Sequence, residues 1–358
     1  MDLLFYLLIF LLVLIVSSTT NKLFPFMPMP LIQILLGIVI GLFLPNNQYH
    51  LDTELFLALV IGPLLFREAQ ESDITSILKH WRIVLYLIFP VIFISTLSIG
   101  GLAHVLWVSL PLAACVAVGA ALGPTDLVAF ASLSERFTFS KRISNILKGE
   151  GLLNDASGLV AFRMALIAWT TGAFSLSQAG SSLAISIIGG FAIGFITAII
   201  NRFLHTFLLS VRITDIASEL LLELSLPLLT FYLAENLHVS GIIAVVVAGI
   251  LKASRFKKIN LLEAQVDTVT ETVWHTVTFI LNGSVFVILG MELEWISEPI
   301  LKSPFYNKLL LLFGIFLLTF LLFAIRFIMI YGFYVFRIKK LQKSLHKYMK
   351  DMLLLTFS

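Results

Sequence analysis

Two stretches of this chain hold polar groups inside long apolar runs. The first is Gly123-Pro124-Thr125-Asp126, followed by Leu127-Val128-Ala129. The second is Gly149-Glu150-Gly151-Leu152-Leu153-Asn154-Asp155, followed by Ala156-Ser157-Gly158. A desolvated carboxylate can hold a proton or a monovalent cation, but not both, so the two compete for one charge. A hydroxyl and backbone carbonyls add the oxygens that a hard ion takes. Gly123 and Pro124 disfavour continuous helix, and proline removes a backbone donor, so the helix should break there and free carbonyls beside Thr125 and Asp126. Glu150 and Asn154 share a helical face, with Asp155 about 100° round from Asn154.

The elements that must position these groups are membrane helices. Hydrophobic residues make up 59% of the 358-residue chain and charged ones 13%. Soluble domains run at about 45–50% and about 25%. So few charges cannot cover a water-facing surface of this size, which excludes an ordinary soluble enzyme, a disordered chain and a nucleic-acid binder. The apolar runs are continuous rather than alternating, which selects helices over a barrel. One cysteine, Cys115, excludes an internal disulfide and a cysteine-rich metal site. The spans expected are 3–18, 30–45, 53–70, 83–102, 104–134, 143–172, 181–201, 213–234, 238–251, 268–292 and 306–336, and the residues after Lys350 begin a twelfth. Gly100-Gly101 and 235–238 are read as tight hairpins. The first run lacks a basic leader and a clear cleavage site, so it is read as a retained helix.

Of the 24 Lys and Arg residues, 19 fall in the loops after odd-numbered spans, Lys252 among them, and the opposite loops hold only Lys302 and Lys308. The positive-inside rule then puts the basic loops in the cytoplasm and the N-terminus outside. Asp126 lies ten residues before Arg136 and Asp155 thirteen after Arg142. At helical rise these are roughly 15 and 20 Å, so the two carboxylates reach similar depth in neighbouring spans.

Further charges lie within the spans. Arg326, inside the run Leu309–Tyr334, needs a carboxylate, and Glu150 is the candidate partner. Glu68 is read either as a carboxylate lining the site or its access path, or as an interfacial acid beside Glu71 and Asp73. Arg67 is expected to snorkel to the cytoplasm. Asp215, Glu219 and Glu223 recur every four residues, as a cation funnel or a water-facing stripe. Arg163 either snorkels outward or offsets a carboxylate. Asn282-Gly283 is read as a helix contact in preference to a site-facing pair. Glu271 and His275 lack enough neighbours for a metal site.

With these residues in place, the chain resembles the bacterial branch of the monovalent cation/proton antiporters of the sodium/proton exchanger class. Thr125-Asp126 with Val128-Ala129 resembles the family's Thr-Asp-Pro-Val-Ala unwound segment. Gly149 to Asp155 resembles its Gly-Glu-Ser-Leu-x-Asn-Asp motif. Leu64-Leu65-Phe66-Arg67-Glu68-Ala69 resembles its Phe-Glu segment. Val239 to Ala244 and Phe279 to Phe286 match later segments, so the likeness covers nearly the whole chain in order. Three departures stand out: Leu127 replaces a proline, Gly151 replaces a serine whose hydroxyl can bind the ion, and Arg67 intrudes beside Phe66.

The resemblance implies an all-α polytopic membrane protein with an inverted repeat and a broken helix near Pro124. Residues 1–358 are read as one transmembrane exchanger domain. The family continues past Ser358 with a broken twelfth helix and a thirteenth, so the second repeat is expected to be incomplete. The function implied is exchange of a monovalent cation, sodium first and then potassium or lithium, for protons across the cytoplasmic membrane by alternating access. Asp155 is the expected carrier, with Thr125 and Asp126 completing the cation's oxygen shell, Asn154 holding the broken helix, and Glu150, Arg326 and Glu68 in support. Asn154 does not titrate, so one proton per cation and no net charge movement are expected. No enzyme activity, resident cofactor or nucleic-acid partner is expected; a homodimer is, by analogy with the family. The alternatives are a non-transporting remnant or assembly subunit, and a cation channel.

Overall fold

A computed structural model describes residues 2–43, 52–72, 74–124, 141–172, 176–211, 215–253, 261–302, 308–341 and 355–356. Helices account for nearly all of them, and no strand occurs among the described residues. In chain order they are α1 (Asp2–Leu23), α2 (Met29–Phe43), α3 (53–71), α4 (Ile74–Lys79), α5 (Trp81–Leu106) and α6 (Leu112–Leu122). Then follow α7 (Lys141–Thr171), α8 (Leu176–Val211), α9 (Ile216–Asn236), α10 (Gly241–Ala253), α11 (Leu261–Lys302) and α12 (Lys308–Leu341). Stretches of α5, α8, α9, α11 and α12 are each long and apolar enough to cross a bilayer, and α1, α2, α6 and α10 add shorter apolar helices. At 42 residues, α11 runs about 60 Å, well beyond the hydrocarbon thickness.

Prolines shape two of the helices. α3 contains a π-turn at Leu57–Ile61 just before Gly62-Pro63, and α5 contains one at Leu87–Val91 around Pro90. The wider turn accommodates the ring and the missing donor without ending the helix. α7 stops at Gly172, whose φ of 67° is the left-handed closure glycine adopts freely.

The helices form two compact units. The first comprises Met1–Glu71 and Ser186–Phe305, the second Ser72–Ile185 and Tyr306–Ser358. In the first, α2 lies against α11 so closely that a side chain on Gly37 would strike the Val287 carbonyl, and one on Gly290 the Ile34 carbonyl. The spacing Gly37-x-x-x-Gly41 is the small-residue pattern that lets membrane helices approach. Gly283 abuts Leu14, which agrees with a packing reading of Asn282-Gly283.

In the second unit, α5 and α6 form a hairpin, but not at Gly100-Gly101. The helix runs through both glycines to Leu106, and the turn is Trp107 to Pro111. Gly100 instead makes room for Val116 of α6, because a Cβ there would lie 2.8 Å from the Val116 Cα. The apolar core of this unit joins Ile83, Val84, Leu87 and Ile88 of α5 to Ile143, Ile146 and Leu147 of α7 and Ile330 of α12.

Candidate functional site

α6 is built of small and branched apolar residues and ends at Leu122, with Gly123 and Pro124 bent rather than helical. The helix therefore stops where the sequence predicts a break. Thr125 and Asp126 lie outside the described residues. The chain re-enters at α7, a single helix of 31 residues that carries the second motif. Three α7 residues four apart form one buried face. Glu150 and Asn154 are both 0% exposed, and Gly158 is buried one turn further on. A side chain at Gly158 would strike the Pro124 ring, and Ala120 of α6 lies next to it. The two motifs are thus in contact, with the bend after α6 resting on α7 three residues beyond Asp155. The Asp155 backbone is helical and directly follows Asn154.

Glu150 and Arg326 meet as a two-pronged pair. Arg326 Nη1 lies 2.8 Å from Glu150 Oε1, and Nη2 donates to Oε2 at 3.0 Å. Arg326 Nε donates to the Leu355 carbonyl at 2.8 Å, so all three guanidinium nitrogens have acceptors. The planar fork matches the carboxylate, and two opposite charges out of water are tolerable only when matched so closely. The Tyr86 hydroxyl donates to the Met329 carbonyl at 3.1 Å and holds α5 to the same part of α12.

Thr96 of α5 sits beside the end of α6. It is 5% exposed, and its hydroxyl has no hydrogen-bond partner. A Cβ at Gly123 would lie 3.6 Å from Thr96 Oγ1, and one at Gly119 would strike the Thr96 carbonyl. No sequence pattern singles out this threonine.

The first unit holds a second buried polar cluster. Lys252 Nζ lies 2.9 Å from Glu223 Oε2, and Gln70 donates to Glu223 Oε1 at 2.6 Å. Lys252 also donates to Asn201 Oδ1 at 3.1 Å. One turn towards the start of α9, His205 Nε2 is 3.1 Å from Glu219 Oε2. This corrects two expectations. Lys252 is a part-buried ion-pair partner in the last turn of α10, not a loop base. The stripe on α9 does not act as one face: Asp215 is exposed and caps the helix, while Glu219 and Glu223 are buried in pairs. Asn201 and His205, four apart in an apolar helix, were the missed signal. Arg67 does not snorkel freely, because it pairs with Glu71 at 2.6 Å, donates to Gln70 at 2.9 Å and lies over the Trp274 ring. Glu68 lies half-buried on α3 in this unit, and Arg163 is exposed on α7 in the other. No cluster of three metal-ligating side chains occurs among the described residues.

The family described as sodium/hydrogen exchanger, transmembrane, matches residues 7–351. Antiporters named for sodium, potassium, lithium and rubidium against protons, from Bacillus pumilus and Bacillus subtilis, are each 34% identical over 344 and 334 residues. Those alignments cover 96% and 93% of this chain but 51% and 50% of the relatives, so the chain spans about half their length. The structure of the sodium proton antiporter MjNhaP1 from Methanocaldococcus jannaschii at pH 8 superposes with a TM-score of 0.69 at 20% identity. It covers 99% of this chain and 82% of that one, a likeness of fold.

Proposed function

The chain belongs to the sodium/hydrogen exchanger family, and on that footing we propose that it exchanges a monovalent cation for protons across the cell membrane. One observation carries the reading further than family membership: Pro124 at the end of α6 rests on Gly158 of α7, one turn from Asp155. Asp155 is the carrier. Its neighbour Glu150 is engaged through both carboxylate oxygens by Arg326, which leaves it the role of holding α7 to α12.

The cation and the proton compete for the Asp155 carboxylate. Thr125, Asp126 and carbonyls freed at the break supply further oxygens to the cation, and Asn154 braces the helix. Access alternates between the two membrane faces, so each cation carried one way is exchanged for a proton. A single titrating carrier makes the exchange electroneutral. Sodium is the first candidate, then potassium and lithium, in keeping with the names of the Bacillus relatives. The basic loops face the cytoplasm and the N-terminus faces outside, and the chain works as a homodimer.

Reconstitution in vesicles tests this. Each cation, added in turn to vesicles loaded with a pH-sensitive dye, should dequench the dye, and Asp155→Asn should abolish the response. Exchange that survives Asp155→Asn, or flux that needs no pH gradient and outruns carrier rates, would overturn the assignment.

A further inference from the structure

Thr96 differs from nine other helical threonines. Thr19, Thr170, Thr171, Thr197, Thr206, Thr272, Thr276, Thr278 and Thr319 each donate their hydroxyl to the carbonyl four residues earlier. That back-bond is the ordinary way a helix within a membrane satisfies a hydroxyl. Thr96 makes no such bond, although it is 5% exposed. A buried hydroxyl without a partner is destabilising, and one that persists beside a functional segment suggests that its partner arrives later.

Its surroundings indicate that partner. Thr96 Oγ1 faces Gly123, where α6 has just ended. The last carbonyls of a helix lack intrahelical partners and carry partial negative charge, which favours a cation. Depth agrees too: Thr96 lies 14 residues after Arg82 and Asp155 lies 13 after Arg142. Each distance corresponds to about 20 Å of helix from a basic end. α5 and α7 both contact the terminal part of α6, through Thr96 with Gly119 and through Gly158 with Pro124.

We propose that the Thr96 hydroxyl oxygen is a further ligand of the transported cation, contributed by a third helix beside those that carry the two motifs. The assignment rests on the exchange function proposed above. A neutral hydroxyl holds the ion without competing for its charge, so it sets cation affinity and leaves the proton step alone. Thr96→Val keeps the shape and removes the oxygen, and Thr96→Ser restores it.

Two readouts on the full chain separate this role from a structural one. In proteoliposomes, Thr96→Val should raise the sodium concentration for half-maximal exchange by about tenfold, the worth of one oxygen to a charged partner. The pH profile at saturating sodium should not move, and Thr96→Ser should recover the affinity. In detergent without sodium, Thr96→Val should melt about 2 °C or more above the wild type, because an unpartnered hydroxyl is gone. Its sodium-induced rise in Tm should shrink. Wild-type half-saturation in Thr96→Val, or a fall in its sodium-free Tm, would overturn the assignment while the exchange function stands. A wild type with neither exchange nor a sodium-induced shift would remove the exchange function, and this assignment with it.

Discussion

Glu150 and Glu223 are both glutamates buried among apolar helices, yet they are held in different ways. In Glu150 the Arg326 fork takes both carboxylate oxygens, and the remaining donor of that fork goes to the Leu355 carbonyl. Glu223 divides its oxygens between Lys252 of α10 and Gln70 of α3, and Lys252 in turn reaches Asn201 of α8. The first arrangement is a two-pronged pair at zero exposure for the carboxylate. The second is a network that pins four helices together through smaller, separable contacts. Removing Arg326 breaks both contacts of the fork at once. Removing Lys252 leaves Glu223 its bond from Gln70.

That contrast can be broken experimentally, and the largest effect should come from Arg326. Arg326→Gln takes the guanidinium away from both oxygens of the buried Glu150 carboxylate, and breaking a buried pair from one side costs roughly 3–5 kcal/mol. The yield of folded protein and its unfolding midpoint in detergent should fall sharply. Glu150→Gln combined with Arg326→Gln should recover much of the loss, because no charge is then stranded. A double variant no better than either single one would refute the pairing.

Lys252→Met should do less. Glu223 keeps its bond from Gln70, so the loss should be about 1–3 kcal/mol, the range for one buried charge-assisted bond. A loss equal to that of Arg326→Gln would remove the distinction between pair and network.

The smallest effect belongs to Asp215, on the same stripe as Glu223 but exposed. Hydrogen bonds from Ser218, first its side chain and then its backbone N–H, hold the Asp215 carboxyl below the usual carboxylate range. A lowered folded value means that its contribution is complete above the unfolded pKa and is lost as pH falls through the folded one. Asp215→Ala should therefore melt slightly below the wild type by a constant margin from pH 7 to about pH 5, and the margin should close below about pH 4. A margin that grows on acidification would contradict the cap.

Much of this was legible in the residues. An arginine inside an apolar run demands a carboxylate, and Glu150 was the candidate at hand. Gly-Pro after a small-residue helix announces the end of α6. By contrast, the Gly100-Gly101 hairpin was misread because glycine serves both turns and tight helix contacts, and only the neighbouring Val116 distinguishes them. Lys252 looked like a loop base because charge at a helix end normally faces water. Its burial depends on Glu223, which is 29 residues away in sequence. Thr96 had no sequence signal at all, since a lone threonine in a membrane helix ordinarily bonds its own backbone.

The sequence by itself determined that the chain is helical, that it crosses a membrane many times, and which two motifs hold its exceptional polar groups. Those properties follow from composition and local spacing, which act within a single helix. Tertiary structure alone decided which buried charge meets which, which glycines are turns and which are contacts, and which hydroxyl is left waiting beside the end of α6. Each of those depends on what a different helix brings to the same place, and no local pattern encodes that.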